Sequence, residues 1–305
     1  MIELRTLETF YWVARLGGFR RAAEKLNTTQ PAVSARIAQL EQAFNTRLID
    51  RDKRHSALTP KGLELFAYAE RMLALRTEMV MAVTEAGSLR GTVRLGVSET
   101  LVHTWLARLV KRLHEHYPAI TLEISVDVSA NLRDALLAGE LDVALLLGPI
   151  GAPKIKNLPL CSYPMAWIAS PDLAVGAGRL TLADLAAWPI MTYSRTTRPY
   201  REVTELFARV EIPRPRFFAN SSLASIVRMT LDGIGISAIP PAVIADELSA
   251  GRLRVLDAET ALPPLAFTAS HLDQPDNALA AIVARLAEAV AAETGAGEVG
   301  ADPNS

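Results

Sequence analysis

The chain has 305 residues, half of them apolar and 21% charged, with a formal net charge of −1. That is enough for two or three globular domains, each with its own core. No apolar run approaches the roughly 18 residues of a membrane span. The start, Met1-Ile2-Glu3-Leu4-Arg5, lacks the basic and apolar segments of a secretory signal. The single Cys161 has no internal disulfide partner, so the expectation is a reduced, cytoplasmic protein without membrane contact.

The charge is unevenly spread. Residues 1–62 carry eleven Lys/Arg against six Asp/Glu, a net of +5, which leaves −6 for the remainder. A basic head on an acidic body suits a phosphate-binding module joined to a domain of another kind, although solvated charges can also fluctuate this way by chance.

In chain order, Leu4, Leu7, Phe10, Tyr11 and Ala14 recur at helical spacing up to Gly17-Gly18. A short helix over Arg20–Leu26 follows, then the turn Asn27-Thr28-Thr29. Thr29 suits an N-cap and Pro31 the first turn of a third helix. Val33, Ile37, Leu40 and Phe44 are its expected buried stripe; Gln30, Ser34, Arg36 and Gln39 lie on its polar face. Two short helices joined by a three-residue turn, the second with a polar exposed face, form a helix-turn-helix. Strands over 47–51 and 56–59 around the basic tip Asp52-Lys53-Arg54-His55 would make a wing.

Thr59-Pro60 starts a long helix expected to run to about Ala86, before Gly87-Ser88. Leu65, Tyr68, Met72, Leu75, Met79 and Ala82 form a heptad seam, and Phe66, Leu73 and Val80 a second stripe on another side. The seam fits a second subunit and the other stripe fits the DNA-binding domain. The alternative is one helix buried inside a monomer.

From Thr92 strands and helices alternate: strands over 92–97, 121–128 and 142–147, helices over 101–117 and 132–138. This βαβαβ run implies a parallel sheet with right-handed crossovers. Further strands are expected over 166–169, 190–193, 216–219, 234–239, 253–255 and 265–269, and a closing helix over 278–293. The tail 295–305 lacks large apolar side chains and reads as disordered.

The stretch Phe19-Arg20-Arg21-Ala22-Ala23-Glu24-Lys25-Leu26-Asn27-Thr28-Thr29-Gln30-Pro31-Ala32-Val33-Ser34 resembles the helix-turn-helix of LysR-type transcriptional regulators. So do Ile37-Ala38-Gln39-Leu40-Glu41, Leu48 with Asp50-Arg51, and Leu58-Thr59-Pro60-Lys61-Gly62. Gly139-Glu140-Leu141-Asp142-Val143-Ala144 and Gly233-Ile234-Gly235-Ile236-Ser237-Ala238-Ile239-Pro240 are similar to segments of that family's effector domain. The resemblance implies an α+β multi-domain protein: a winged helix-turn-helix over 1–59, a linker and dimerisation helix over 60–88, and a two-lobed α/β domain over 89–294 like that of periplasmic binding proteins. Lobe I would be about 89–161 with 268–294, and lobe II about 162–267. It further implies an imperfect palindromic operator in double-stranded DNA, a tetramer built from dimers, and RNA polymerase as a further candidate partner.

On that reading Thr29, Gln30 and Ser34 meet base edges, Pro31 joins the DNA-binding set in the first turn beside them, and Arg20, Arg36, Arg51, Lys53 and Arg54 meet phosphates, with His55 following the wing. In a two-lobed α/β domain, ligands bind at strand ends near helix N-termini. Those ends offer Ser98, Thr100, Ser129, Gly148, Tyr193, Ser194, Arg195, Asn220 and Ser222, with Arg195 or Arg198 as counter-charge to a carboxylate-bearing effector. The serines would alternatively only cap helices.

The competing class is an enzyme using the same cleft. No phosphate-cradling glycine loop, zinc-type Cys/His cluster or Gly-x-Ser-x-Gly elbow is present, so no catalytic residue, cofactor or metal site is assigned. His114 and His116, two apart on a helix, point to different sides, and His103 fits a structural role better than a ligand contact. Cys161 has no second cysteine to resolve an oxidised sulfur and fits a packing role. A purely architectural DNA-binding protein would not need some 200 further residues.

Overall fold

The computed structural model describes residues 3–50, 57–83, 89–176, 178–208, 212–274 and 277–294. The chain divides into two compact units: Met1–Glu85 with Gln274–Ala278, and Ala86–Asp273 with Leu279–Ser305.

Unit 1 opens with α1 (Leu4–Leu16), which stops at Gly17 with φ +67°, a conformation that costs glycine little. Helices α2 (Phe19–Lys25) and α3 (Gln30–Ala43) follow. The Thr29 hydroxyl caps α3 by accepting the Ala32 N–H at 3.4 Å. Phe10, Tyr11, Val13, Ala22, Val33, Ile37 and Leu40 fill one core. Phe44, expected in that core, is 42% exposed: it is the C-cap of α3, where the helical stripe has already ended.

Strands β1 (Ile49–Asp50) and β2 (Ala57–Leu58) pair antiparallel, Ile49 opposite Leu58. The Glu41 carboxylate accepts the N–H groups of Leu48 (2.8 Å) and Ile49 (3.2 Å), pinning the strand to α3. The tip between the strands, with Arg51, Lys53, Arg54 and His55, lies outside the described residues.

Helix α4 (Pro60–Val83) starts at the Thr59 cap, whose hydroxyl accepts the Gly62 N–H at 3.0 Å. One of its faces packs on the unit 1 core. Phe66 stacks on Tyr11 (5.2 Å, 9°), and Ala69 and Leu73 are buried. The other face carries the heptad seam into solvent: Tyr68, Met72, Leu75 and Met79 are 48–65% exposed. Residues 84–88, where the sequence placed the helix end, and the side chains of Val80 and Ala82 are outside the described set.

Unit 2 is built on one run of strands in the order β4-β3-β5-β11-β6-β9-β7-β8, with β10 on β6. Strand β3 (Gly91–Val97) leads to α5 (Glu99–Val102) and α6 (Leu106–His116), then β4 (Ile120–Val126), α7 (Ser129–Ala138) and β5 (Val143–Leu147). The single helix expected over 101–117 is thus two. The Thr104 hydroxyl bonds back to the Thr100 carbonyl (3.0 Å), and Trp105 (φ −135°) turns into the core, 2% exposed.

Strand β6 (Ile155–Ala169) is much longer than the expected 166–169. Its first part pairs with β11 and its end with β9 and β10, so it runs from one half of the sheet into the other. The second half holds α8 (Leu182–Ala186), β7 (Ile190–Tyr193), α9 (Arg198–Ala208), β8 (Phe217–Asn220), α10 (Leu223–Leu231), β9 (Ile236–Ile239), α11 (Ala245–Ser249) and β10 (Arg254–Val255). Strand β11 (Leu262–Leu272) returns beside β6 and α12 (Ala278–Glu293) closes the chain. Strands β3, β4 and β5 are mutually parallel, as are β7, β8 and β9, while β6 and β11 run against their neighbours. Each lobe is therefore a small parallel α/β sheet, and two antiparallel strands cross between them.

Candidate functional site

In unit 1 the polar face of α3 is presented at its N-terminus. Thr29, Gln30 and Pro31 are exposed and Ser34 is half-buried. Arg20 is exposed and paired with Glu24 at 3.1 Å, one turn on. Arg36 is half-buried, with Nη1 donating to the Thr9 hydroxyl on α1 at 3.4 Å. The short polar side chains stand where the capped helix begins, and the cation Arg36 is tethered back toward α1. A capped helix with exposed amide and hydroxyl side chains at its start can enter a DNA major groove. The sequence reading passed over the structural role of Glu41, which holds the wing strand through two backbone amides.

In unit 2 a cavity of about 880 Å³ lies between the lobes, at the C-terminal ends of both parallel sheets. Of the nine expected residues, Ser98, Thr100, Ser129, Tyr193 and Ser222 line it; Gly148, Ser194, Arg195 and Asn220 are not among its lining. Gly148 packs against the Thr268 side chain, where an added Cβ would meet the hydroxyl at 2.0 Å. Arg195 is exposed. Asn220 Oδ1 accepts the Ser222 N–H at 2.9 Å.

Ser98 and Ser129 face each other, Oγ to Oγ 3.1 Å, and Ser129 Oγ also accepts the Leu147 N–H at 3.0 Å. These two hydroxyls join β3, α7 and β5 rather than cap helices, whereas Ser222 does cap α10 by accepting the Ser225 N–H at 3.3 Å. Thr100 Oγ1 and Tyr193 Oη lie 3.4 Å apart across the lobes. Burial pushes the Tyr193 phenol well above its ordinary range, so it stays a neutral hydroxyl.

The charged lining was largely missed. Arg133 on α7, and Arg198 and Arg201 on α9, line the cavity with Glu99 and Asp127. Both carboxylates already have donors. Asp127 Oδ1 accepts the Val128 N–H (2.6 Å) and Asn131 Nδ2 (2.9 Å), and Glu99 accepts the Leu223 N–H (2.6 Å). Arg198 has Glu202 at 3.5 Å and Arg133 has Asp134 at 2.8 Å. The wall is completed by apolar Leu265 and Phe267 of β11 and by Pro149 and Ile150. Helical spacing alone could have found Arg133, one turn after Ser129.

Cys161 is 8% exposed, and burial pushes its thiol up to about 11, so the thiolate that oxidants attack is scarce. His103 is part-exposed, 3.8 Å from Glu99. Among the described residues no group of three or more His, Cys, Asp and Glu side chains is placed to hold a metal ion.

Residues 4–63 match the family model of the bacterial regulatory helix-turn-helix protein, lysR family, and residues 86–291 that of the LysR substrate binding domain. The chain belongs to the LysR family. As a LysR-type regulator it joins a DNA-binding helix-turn-helix to an effector-binding domain, and the enzyme alternative falls away because the matched families and relatives are transcription regulators. One relative, the SDS degradation transcriptional activation protein of a Pseudomonas species, is 31% identical over 84% of this chain and 85% of its own. The HTH-type transcriptional regulator BbuR of Bordetella bronchiseptica is 27% identical over 83% and 78%. Full-length LysG of Corynebacterium glutamicum, solved with bound effector Arg, has a TM-score of 0.60 at 21% identity, covering 96% of this LysR chain and 99% of LysG. Full-length BenM has a TM-score of 0.55 at 21% identity, covering 99% and 100%. These two likenesses establish the fold: a winged helix-turn-helix, a linker helix and a two-lobed α/β domain.

Proposed function

We propose that this LysR-type regulator reads an imperfect palindrome with α3 and is switched by a carboxylate-bearing metabolite held between the lobes. The cleft chemistry carries the reading of the effector. Three arginines line the cavity against two carboxylates, each of which is engaged by a backbone amide, so an acidic ligand finds its cationic partners on the arginine side of the cleft. Ser98, Thr100, Ser129 and Tyr193 add neutral hydroxyls that orient the rest of the ligand. The effector class, whether aromatic acid, amino acid or another organic acid, is read by screening all three by thermal shift on the full-length protein. A carboxylate should raise the Tm and alter retardation of the protein's own upstream DNA. If only uncharged compounds bind, the carboxylate reading is wrong.

At the DNA, Gln30, Thr29 and Ser34 supply base contacts, Pro31 sets the helix start, and Arg20, Arg36 and wing residues Arg51, Lys53 and Arg54 supply phosphate contacts. Dimers form through the exposed α4 seam of Tyr68, Met72, Leu75 and Met79. A second exposed apolar set, Val110 on α6 with Ile124 and Val126 on edge strand β4, supports association of dimers into a tetramer. The domain limits of this reading are 1–59, 60–88 and 89–294, with the lobes divided where β6 and β11 cross. Its location is the cytoplasm, alongside the DNA; no described helix is long and apolar enough to cross a membrane. Ligand moves the DNA-binding pairs only if it favours one arrangement of the lobes over the other. An operator footprint unchanged by a bound carboxylate would contradict that relay.

A further inference from the structure

The N-terminus of α10 faces the cleft and already holds a carboxylate, supplied by the opposite lobe. Glu99 follows β3 directly and belongs to lobe I, whereas α10 follows β8 in lobe II. Glu99 Oε2 accepts the Leu223 N–H at 2.6 Å; Oε1 accepts the Ala224 N–H at 3.4 Å and has the Ser222 hydroxyl at 3.5 Å. The Ser225 N–H, next in the turn, goes to the Ser222 hydroxyl. Every first-turn donor of α10 is thus occupied, two of them from across the gap. Such a helix end carries about half a positive charge, and an ionised acceptor there makes stronger bonds than a neutral one. Glu99 also begins the short α5, yet the backbone amides on its carboxylate both belong to α10. Its side chain is 24% exposed, and the His103 ring lies beside it, with Nε2 3.8 Å from Oε1.

We infer that Glu99 is the resident anion of the cleft: it fills the α10 seat, ties one lobe to the other and bars the acidic group of an incoming ligand from that seat. This rests on the interlobe cavity being the effector site. A second negative charge at the same helix end would meet Glu99 at hydrogen-bond range, so the acidic group of the ligand is directed to Arg133, Arg198 and Arg201 instead. Specificity then follows from the chain itself. A ligand needs one acidic group placed for the arginine side, and a second acid reaching toward α10 is penalised.

The test uses the full-length protein with Glu99→Ala and Glu99→Gln, and formate as the probe against chloride at equal ionic strength. Glu99→Ala should lose about 2–4 °C in Tm, the shift a contact of this kind gives in a domain of this size. Formate, entering the vacated seat, should restore it saturably, beyond any effect it has on the wild type through the arginines. Glu99→Gln fills the same space without the charge, so formate should not restore it. Amide exchange at Leu223 and Ala224 in that variant should rise by about 5- to 30-fold. No saturable formate effect on Glu99→Ala beyond that of chloride overturns the inference, as does unchanged exchange in Glu99→Gln. Should Glu99→Ala fail to fold, the exchange measurement decides alone. Neither measurement contains an effector, so failure here leaves the effector reading intact, and a failed carboxylate screen leaves this test unaffected.

Discussion

Replacing Gly62 by alanine tests how the wing strand is held against the first turn of α4. An added Cβ would come within 2.1 Å of the Leu48 carbonyl oxygen and 3.2 Å of a Leu58 methyl. That carbonyl is fixed from two directions: it accepts the Thr59 N–H at 3.0 Å, while the Leu48 N–H is held by Glu41 at 2.8 Å. Alanine gains up to about 1 kcal/mol over glycine inside a helix. Overpacking costs about 1–3 kcal/mol, and the upper end applies where the obstacle is backbone rather than a side chain that can rotate away. The clash wins, with a net loss of about 1–2 kcal/mol. In a unit this small each kcal/mol lowers the Tm by about 4–8 °C. Thermal unfolding at fixed protein concentration, followed by hydrogen exchange in unit 1 peptides with unit 2 peptides as internal reference, reads the shift. DNA affinity should fall with it, because β1 and β2 support the wing. A Gly62→Ala protein whose unit 1 is as stable as the wild type, or more so, would refute the packing argument.

Gln30→Ala should cut discrimination between operator and mismatched sites by about 1–3 kcal/mol, whereas Lys53→Ala should weaken binding to all sequences alike; competition gel shifts that show uniform losses for both would oppose this division. Arg201→Ala should raise the carboxylate concentration for half-maximal Tm shift by about 10- to 100-fold, the value of a hydrogen bond to a charged group, and an unchanged titration would remove Arg201 from the site. Leu75→Glu on the exposed seam of α4 should shift sedimentation toward monomer without unfolding unit 1, since Leu75 is 65% exposed in the single chain; an unaltered oligomer would exclude the seam. Burial raises the Cys161 thiol from 9.0 to about 11. Between those values the unfolded chain gives up a proton that the folded one keeps, so stability falls as pH rises across that window. Cys161→Ala should flatten this part of the urea-midpoint profile, and an identical slope in the variant would contradict the assignment.

Local signals made unit 1 legible. Thr29, Pro31, Gly17 and Thr59 act through neighbours within a turn, and the two stripes of α4 repeat at helical spacing. The errors arose where tertiary contacts outweigh local pattern. Strands β6 and β11 exceed the expected 166–169 and 265–269: Pro159, Pro164, Pro263 and Pro264 interrupt their local strand pattern, and the pairing is irregular between Leu262 and Leu265 and at Phe267–Thr268. The break between α5 and α6 comes from Thr104 bonding backward and Trp105 turning inward, which periodicity smooths over. In the cleft, strand-end serines and Tyr193 were found by rule, since a strand end before a helix is visible in sequence. Of the charges only Arg198 was, while Arg133, Arg201, Asp127 and Glu99 were not. Glu99 meets α10 across 124 residues, and nothing local tells that its carboxylate fills that helix end.

The most direct measurement is selection of genomic fragments by the full-length protein at near-physiological salt, with wild type and Gln30→Ala in parallel. Recovery of fragments sharing a two-fold related pair of half-sites, and a changed base preference within each half-site for the variant, is the predicted result. Fragments recovered no better than random competitor, or identical preferences for both proteins, would contradict the claim that α3 reads the sequence.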